Sequence, residues 1–308
     1  MIFSFAQLHR HRLSRAARRV FAVAVAGAVA MALGSQAQTR AADIYESTDS
    51  LAVQVKDMYQ RDVTGTVVVT SYKPIGNGPF PILILNHGRS GTDRSQPARF
   101  RYTQQARYFV KRGFAVFVPT RIGYGAMGTS ADPEDSGNCH QKNYAPMAEA
   151  ASTQVIAVLA FAKQQSFADA KRVVIVGQSV GGYTAVATAA KNPDGLVAAI
   201  NFAGGSGGNP QSRPGEPCEA YKLEKMYADF GATTKVPTLW IYTENDQYFA
   251  PKHSQAWHQA FVKSGGQAEF NLLPAFAADG HTLFAAGNSL WEPVVARFLD
   301  ANGFAEPK

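Results

Sequence analysis

The sequence predicts an α/β fold, with a mostly parallel central sheet, helices on both faces and short cap insertions. Three observations predict it. Residues 81–86, 115–119 and 173–176 are almost wholly apolar, the pattern of strands covered on both faces rather than one. Segments with helical spacing of apolar residues separate these runs, so strand and helix alternate along the chain. Once an N-terminal leader is set aside, about 270 residues remain, the size of one ordinary α/β domain.

The elements follow in order. Residues 51–55 and 66–70 read as a first strand pair, and Gly76-Asn77-Gly78-Pro79 as a turn. The buried strand 81–86 comes next. Residues 99–112 read as a helix, with Gly113 well placed to end it. Strand 115–119 precedes a helix over 148–165, whose apolar positions include Val155, Ile156, Leu159 and Ala162. Strand 173–176 runs into a helix over 183–190, and a further strand ends at Phe202. Strands over 238–242 and 269–273 and a closing helix over 291–299 complete the pattern. Segments 121–147 and 203–235 are long for connections and read as cap insertions. No internal repeat or second domain is visible.

The first 37 residues read as a secretory signal peptide. Arg10, Arg12, Arg15, Arg18 and Arg19 form its basic region. Residues 20–33 are apolar and small but short for a membrane span. Ser35-Gln36-Ala37 offers a cleavage site, and Thr39-Arg40-Ala41 a second. Export to the periplasm or beyond follows, by the general secretory route in preference to the twin-arginine one. An uncleaved anchor is the competing interpretation. Removing this leader takes away five arginines and no acid, and the formal charge falls from +7 to +2. The basic balance is therefore no argument for nucleic-acid binding. Cys139 and Cys218 are the two cysteines; in an exported chain, a lone pair in loops predicts a disulfide. Neither has a Cys or His at metal-ligand spacing, so no metal is expected.

The most informative stretch is Gly177-Gln178-Ser179-Val180-Gly181, between strand 173–176 and a helical segment. A strand that turns through Gly-x-Ser-x-Gly into a helix holds its serine in a tight corner, hydroxyl outward. Gly204-Gly205-Ser206-Gly207-Gly208 also matches, but runs on into Asn209-Pro210-Gln211-Ser212-Arg213-Pro214, which is loop composition. Ser179 is therefore preferred to Ser206 as nucleophile. A serine needs a base, and the base needs an acid to fix its tautomer. Asp246 lies just past strand 238–242, with Glu244 as its competitor. His281 is the one histidine after the last strand. The backbone N–H groups of Arg89, after His87-Gly88, and of Val180 are expected to form an oxyanion hole; His87 itself reads as a brace for that loop. Residues 123–128 match Gly-x-Gly-x-x-Gly, but no helix follows, so a dinucleotide site is rejected.

The serine elbow, the His87-Gly88 loop, Arg121-Ile122-Gly123-Tyr124-Gly125, Asp246 and His281 together resemble the dienelactone hydrolase-like branch of the α/β-hydrolase superfamily. The resemblance spans about residues 64 to 304. It implies the α/β-hydrolase fold and a carboxylic ester hydrolase working through an acyl-enzyme, without metal or organic cofactor. Its expected partner is a small-molecule or acylated substrate. Dienelactone hydrolase itself uses a cysteine nucleophile, and the serine here speaks against that activity. A prolyl-oligopeptidase-like peptidase or amidase is the alternative within the class; a non-catalytic binding protein on the same scaffold is the alternative outside it. In such a fold a Cys139–Cys218 bridge would arch over the site and tie the two cap segments together. Tyr124, Tyr144, Tyr248 and Phe249 either line an apolar pocket or simply pack.

Overall fold

The order of strands in space explains why so many of them are apolar along their whole length. The structure, a computed structural model, describes residues 44–90, 93–128 and 131–307. The predicted signal peptide lies outside them. The chain divides at Ala41, and the unit Ala42–Lys308 is the one described below.

Eight strands form one sheet: β1 (Tyr45–Lys56), β2 (Asp62–Lys73), β3 (Phe80–Asn86), β4 (Ala115–Thr120), β5 (Ala168–Gln178), β6 (Leu196–Phe202), β7 (Thr238–Thr243) and β8 (Ala268–Leu273). Their spatial order is β1-β2-β4-β3-β5-β6-β7-β8. β2 runs antiparallel to both β1 and β4, and every later pair is parallel. Among the described residues seven α-helices accompany them, the last two after β8: α1 (Thr103–Lys111), α2 (Tyr144–Lys163), α3 (Val180–Ala189), α4 (Ala220–Gly231), α5 (Pro251–Lys263), α6 (Leu283–Ala286) and α7 (Asn288–Ala301). This is the predicted α/β-hydrolase fold.

Successive side chains of a strand point to opposite faces, and here both faces are covered. Leu83, Leu85, Val116, Val118, Val174 and Val176 pack under α1 and α7 with Phe109, Trp291 and Leu299. Their neighbours Ile82, Ile84, Ala115, Phe117, Val173 and Ile175 pack on the other side, with Val155, Val158 and Leu159 of α2. The doubly covered stretches 82–85, 115–118 and 173–176 have no solvent-facing side, so the sequence shows runs there instead of alternation. α2 is long and apolar enough to cross a membrane by length and composition; its packing beneath the sheet accounts for that apolarity. A third cluster joins α3, α4 and α5 around Tyr227, Trp240 and Trp257.

Element boundaries differ from expectation in places. α1 starts at Thr103 rather than 99: Tyr102 is left-handed at φ 45°, ψ 41°, and Phe100 bonds outside the helix, its N–H donating to Thr120 Oγ1 at 2.9 Å and its carbonyl accepting from Thr70 Oγ1 at 3.1 Å. β1 is longer than residues 51–55, paired with β2 over its full length. Within 203–235, residues 220–231 are α4, whose Leu223 and Tyr227 are buried in the third cluster. The long irregular part of that segment is therefore 203–219, with a short one at 232–235. In the rejected dinucleotide motif, Gly125–Met127 form one 3₁₀ turn and no helix follows.

Candidate active site

The proposed catalytic residues lie in segments that follow the carboxyl ends of parallel strands, the rim at which open α/β sheets gather their ligands. β5 ends at Gln178 and α3 begins at Val180. Ser179 lies between them at φ 57°, ψ −124°, a left-handed conformation that costs a non-glycine residue about 1–3 kcal/mol. Three backbone bonds hold it there. Its N–H donates to Phe202 O at 2.9 Å, and its carbonyl accepts from Tyr183 N at 3.1 Å and Gly205 N at 3.2 Å. The flanking glycines are demanded by close approach. A Cβ on Gly177 would lie 2.0 Å from Gly181 O, and one on Gly181 would lie 2.3 Å from Asn86 O.

His281 is carried by a 3₁₀ turn beyond β8, where Asp279 Oδ1 accepts from its backbone N–H at 2.9 Å. Its Nδ1–H donates to the Asp246 carboxylate, with distances of 3.0 and 3.1 Å to the two oxygens. Asp246 is buried, and its Oδ1 also accepts from the backbone N–H groups of Tyr248 at 2.8 Å and Phe249 at 2.9 Å. Glu244, its competitor, is exposed. The Tyr248 ring stacks on the imidazole with centroids 4.1 Å apart, and Phe249 meets it edge-on at 5.4 Å. This cage fixes the ring and leaves Nε2 as its free acceptor. Ser179 and His281 line the same cavity, about 250 Å³ in volume, with Gly88, Arg89 and Tyr248. Among the described residues the Ser179 hydroxyl has no hydrogen-bond partner; such contacts often form only when substrate is bound.

The loop after β3 closes the other side. A Cβ on Gly88 would meet Ser179 Cβ at 3.0 Å, so this backbone runs directly beside the serine. Val180, the first residue of α3, has no intrahelical acceptor for its N–H. His87 braces the loop, as expected. Its Nδ1–H donates to Gly88 O at 2.6 Å and its Nε2 accepts from Arg121 N at 3.2 Å. Its ring lies flat on Phe100, centroids 3.8 Å apart. Burial, with the Arg121 charge second, pushes its pKa well below the ordinary 6.5.

Sequence reasoning missed the ion pair beneath this loop. Arg121 and Glu134 are both fully buried, joined by Nε–Oε1 at 2.6 Å and Nη2–Oε2 at 3.1 Å. Arg121 Nη1 also donates to His87 O at 3.0 Å. Glu134 further accepts from Tyr124 O–H at 3.0 Å and Gln154 Nε2 at 3.2 Å. An arginine directly after a buried strand was the available signal; nothing in the spacing pointed to Glu134.

Cys139 and Cys218 form a disulfide, with Cα atoms 5.0 Å apart. It lines a second cavity, also about 250 Å³, whose wall includes Ser179, Val180, Arg89 and Phe249. The bridge thus joins segments 121–147 and 203–219 beside the serine. Of the four candidate pocket aromatics, Tyr248 and Phe249 line the cavities. Tyr124 and Tyr144 are packed and bonded, Tyr144 O–H donating to Cys218 O at 2.6 Å. Ser206 lies in an irregular loop with its Oγ 3.5 Å from Met147 Sδ. Among the described residues no group of three or more His, Cys, Asp or Glu is placed to hold a metal ion.

A family model described as "Dienelactone hydrolase family" matches residues 68–299. No curated protein matches the sequence significantly. Among solved structures, a cold-adapted esterase from an Arctic intertidal metagenomic library is 16% identical; the match covers 83% of this chain and 94% of that one, with a TM-score of 0.53. Pyrococcus horikoshii acylaminoacyl peptidase is 12% identical, covers 85% of this chain and has a TM-score of 0.59. Porphyromonas gingivalis dipeptidyl peptidase 4 is 18% identical, covers 83% and has a TM-score of 0.56. This chain spans only 43% and 36% of those two peptidases. At such identities the likeness is one of fold.

Proposed function

The chain belongs to the dienelactone hydrolase family, and from that membership and the geometry around Ser179 we propose that it is an exported serine hydrolase that cleaves carboxylic esters. One observation carries the proposal: His281 is pinned through Nδ1 to a buried carboxylate, and its ring lines one cavity with a serine held at a strained strand-to-helix corner. Ser179 Oγ attacks the acyl carbon while His281 Nε2 takes its proton. Asp246 holds the imidazole in the right tautomer and supports the imidazolium that forms. The backbone N–H groups of Arg89 and Val180 receive the negative charge of the tetrahedral intermediate. His281 then returns the proton to the departing alcohol, and water, activated by the same imidazole, clears the acyl-serine.

Export is supported by the leader-like N-terminus and by the Cys139–Cys218 disulfide, which suits an oxidising compartment. A fluorophosphonate probe tests the chemistry. It should label the protein, and Ser179→Ala should abolish labelling; absence of labelling in the unsubstituted protein would leave only a binding scaffold. p-Nitrophenyl esters assayed beside aminoacyl anilides separate ester from amide preference. Faster anilide turnover would overturn the ester assignment in favour of a peptidase.

A further inference from the structure

The cavity beneath the disulfide carries an unbalanced charge. Its charged wall residues are Arg89, Lys142, Arg213 and Asp135. Arg89 is already matched, its guanidinium bidentate on Asp132 at 3.1 and 2.5 Å. Asp135 is exposed, and its Oδ1 caps the turn at Gly137 N at 3.0 Å. Arg213 and Lys142 are different. Among the described residues neither the Arg213 guanidinium nor the Lys142 ammonium has a carboxylate within 4.0 Å; Glu219 Oε2 accepts from the Lys142 backbone N–H at 2.5 Å instead.

Arg213 lies against the disulfide. Its Nη2 donates to Cys218 Sγ at 2.9 Å and to Gly207 O at 3.4 Å, and its Nη1 contacts Cys139 Sγ. Its Nε is buried with no partner among the described residues. Sulfur is a weak acceptor, so a five-donor guanidinium is spent on poor ones. Lys142 Nζ donates to Ser136 Oγ at 3.2 Å and Gly137 O at 2.5 Å, both neutral. Burial pulls its pKa down; Arg89 and Arg213 add to that, against the opposing pull of Asp135 and Glu219. Partly desolvated cations with no carboxylate in direct contact are costly, and a bound anion reduces the cost.

Taking Ser179 as the nucleophile, we propose that this cavity binds an anionic group of the substrate, with Arg213 and Lys142 as its specificity-determining cations. Ser179 stands in the same wall, so the scissile carbonyl sits at the cavity mouth while the anion enters beneath the bridge. A volume near 250 Å³, below that of common drug-sized sites, suits a short chain. The substrate class is a half-ester of a small dicarboxylic acid, or an ester with a phosphate or sulfate at the same reach. A neutral acyl chain would leave both cations unpaired, the kind of mismatch that discriminates strongly.

The test compares kcat/KM for mono-p-nitrophenyl glutarate and for p-nitrophenyl pentanoate, its neutral counterpart of the same chain length. The anionic ester should be preferred about ten- to a hundredfold, and the preference should shrink as ionic strength rises. Arg213→Gln should lower that ratio about tenfold or more, and Lys142→Gln should lower it too. A ratio of one or less in the unsubstituted enzyme overturns the proposal, and this reading needs no variant to fold. Calorimetry on Ser179→Ala with glutarate, inorganic phosphate and sulfate in separate titrations separates the anions. If neither ester turns over, hydrolysis is wrong, and these titrations decide: binding that Arg213→Gln abolishes upholds the subsite, and no binding of any anion removes it.

Discussion

Ser179 is held in a backbone conformation it would not choose, and three hydrogen bonds from β6, α3 and the following loop over-determine it. Around it, side chains of ordinary type acquire roles from what they touch. Asp246→Asn keeps an oxygen to accept from Tyr248 N and Phe249 N, so the loop should hold. The amide N–H group, however, favours the wrong imidazole tautomer. Ester turnover should fall by about four orders of magnitude with little change in melting temperature, the pattern seen when a triad acid is neutralised. Steady-state kinetics and a thermal melt on one preparation check both halves. His87 gives a pH dependence of stability. Its pKa is depressed by burial in the folded state and returns to about 6.5 in the unfolded chain. The unfolded state therefore binds the extra proton, and stability is lost as pH falls below about 6.5. His258, also lowered by burial, acts in the same direction. Denaturant titrations at pH 7.5 and 5.5 should show the loss, up to about 1.4 kcal/mol per pH unit for the fully buried His87 and less for the half-exposed His258, whose charge water screens. Ser179, Asp246 and His281 were legible in the sequence because strand ends and chain order restrict where they can stand. The surroundings of Arg213 were not legible, because they depend on which carboxylates fail to reach its guanidinium.

At the scale of elements, the loop beside the serine rests on the strand-end arginine below it. Arg121 leaves β4 and ties three things together: the His87 carbonyl after β3, Glu134 in the following segment and, through Glu134, Gln154 of α2. Gln154 Oε1 also accepts from Ile122 N at 2.6 Å, closing the network. Removing one partner of a buried pair leaves the other charge uncompensated. Glu134→Gln should therefore cost about 3–5 kcal/mol, read as a drop in the urea midpoint with unchanged slope. Because the same guanidinium holds His87 O, the surviving folded fraction should also hydrolyse esters more slowly. Replacing both residues by apolar ones of similar volume should cost less stability than the single change, since no orphaned charge remains. Strands β3, β4 and β5 were readable from hydrophobic pattern alone, because burial on both faces leaves a continuous run. The start of α1 was not: Phe100 and Tyr102 look helical by composition, but Tyr102 is left-handed and Phe100 is bonded to Thr70 and Thr120, both distant in sequence.

Across the whole molecule, the disulfide is the one covalent link between the two irregular segments beside the site. It closes a loop with a sequence separation of 79, which includes β5, α3 and β6 and hence the serine corner. A cross-link of that span removes much conformational freedom from the unfolded chain, and bridges of this kind commonly contribute about 2–4 kcal/mol. The folded side also depends on it. Cys139 and Cys218 line the cavity next to Ser179, and Arg213 rests against both sulfurs. The double variant Cys139→Ala/Cys218→Ala should therefore lose about 2–4 kcal/mol and should also blur selectivity, because the guanidinium loses its support. Treating the unsubstituted protein with dithiothreitol should reproduce the stability loss, and the same treatment should leave the double variant unchanged. Equal urea midpoints for the oxidised and reduced protein would show that the native core alone sets its stability. The pairing was legible because the chain has just two cysteines and a leader-like N-terminus. What the bridge does to the pocket required the path of both loops, which local spacing does not encode.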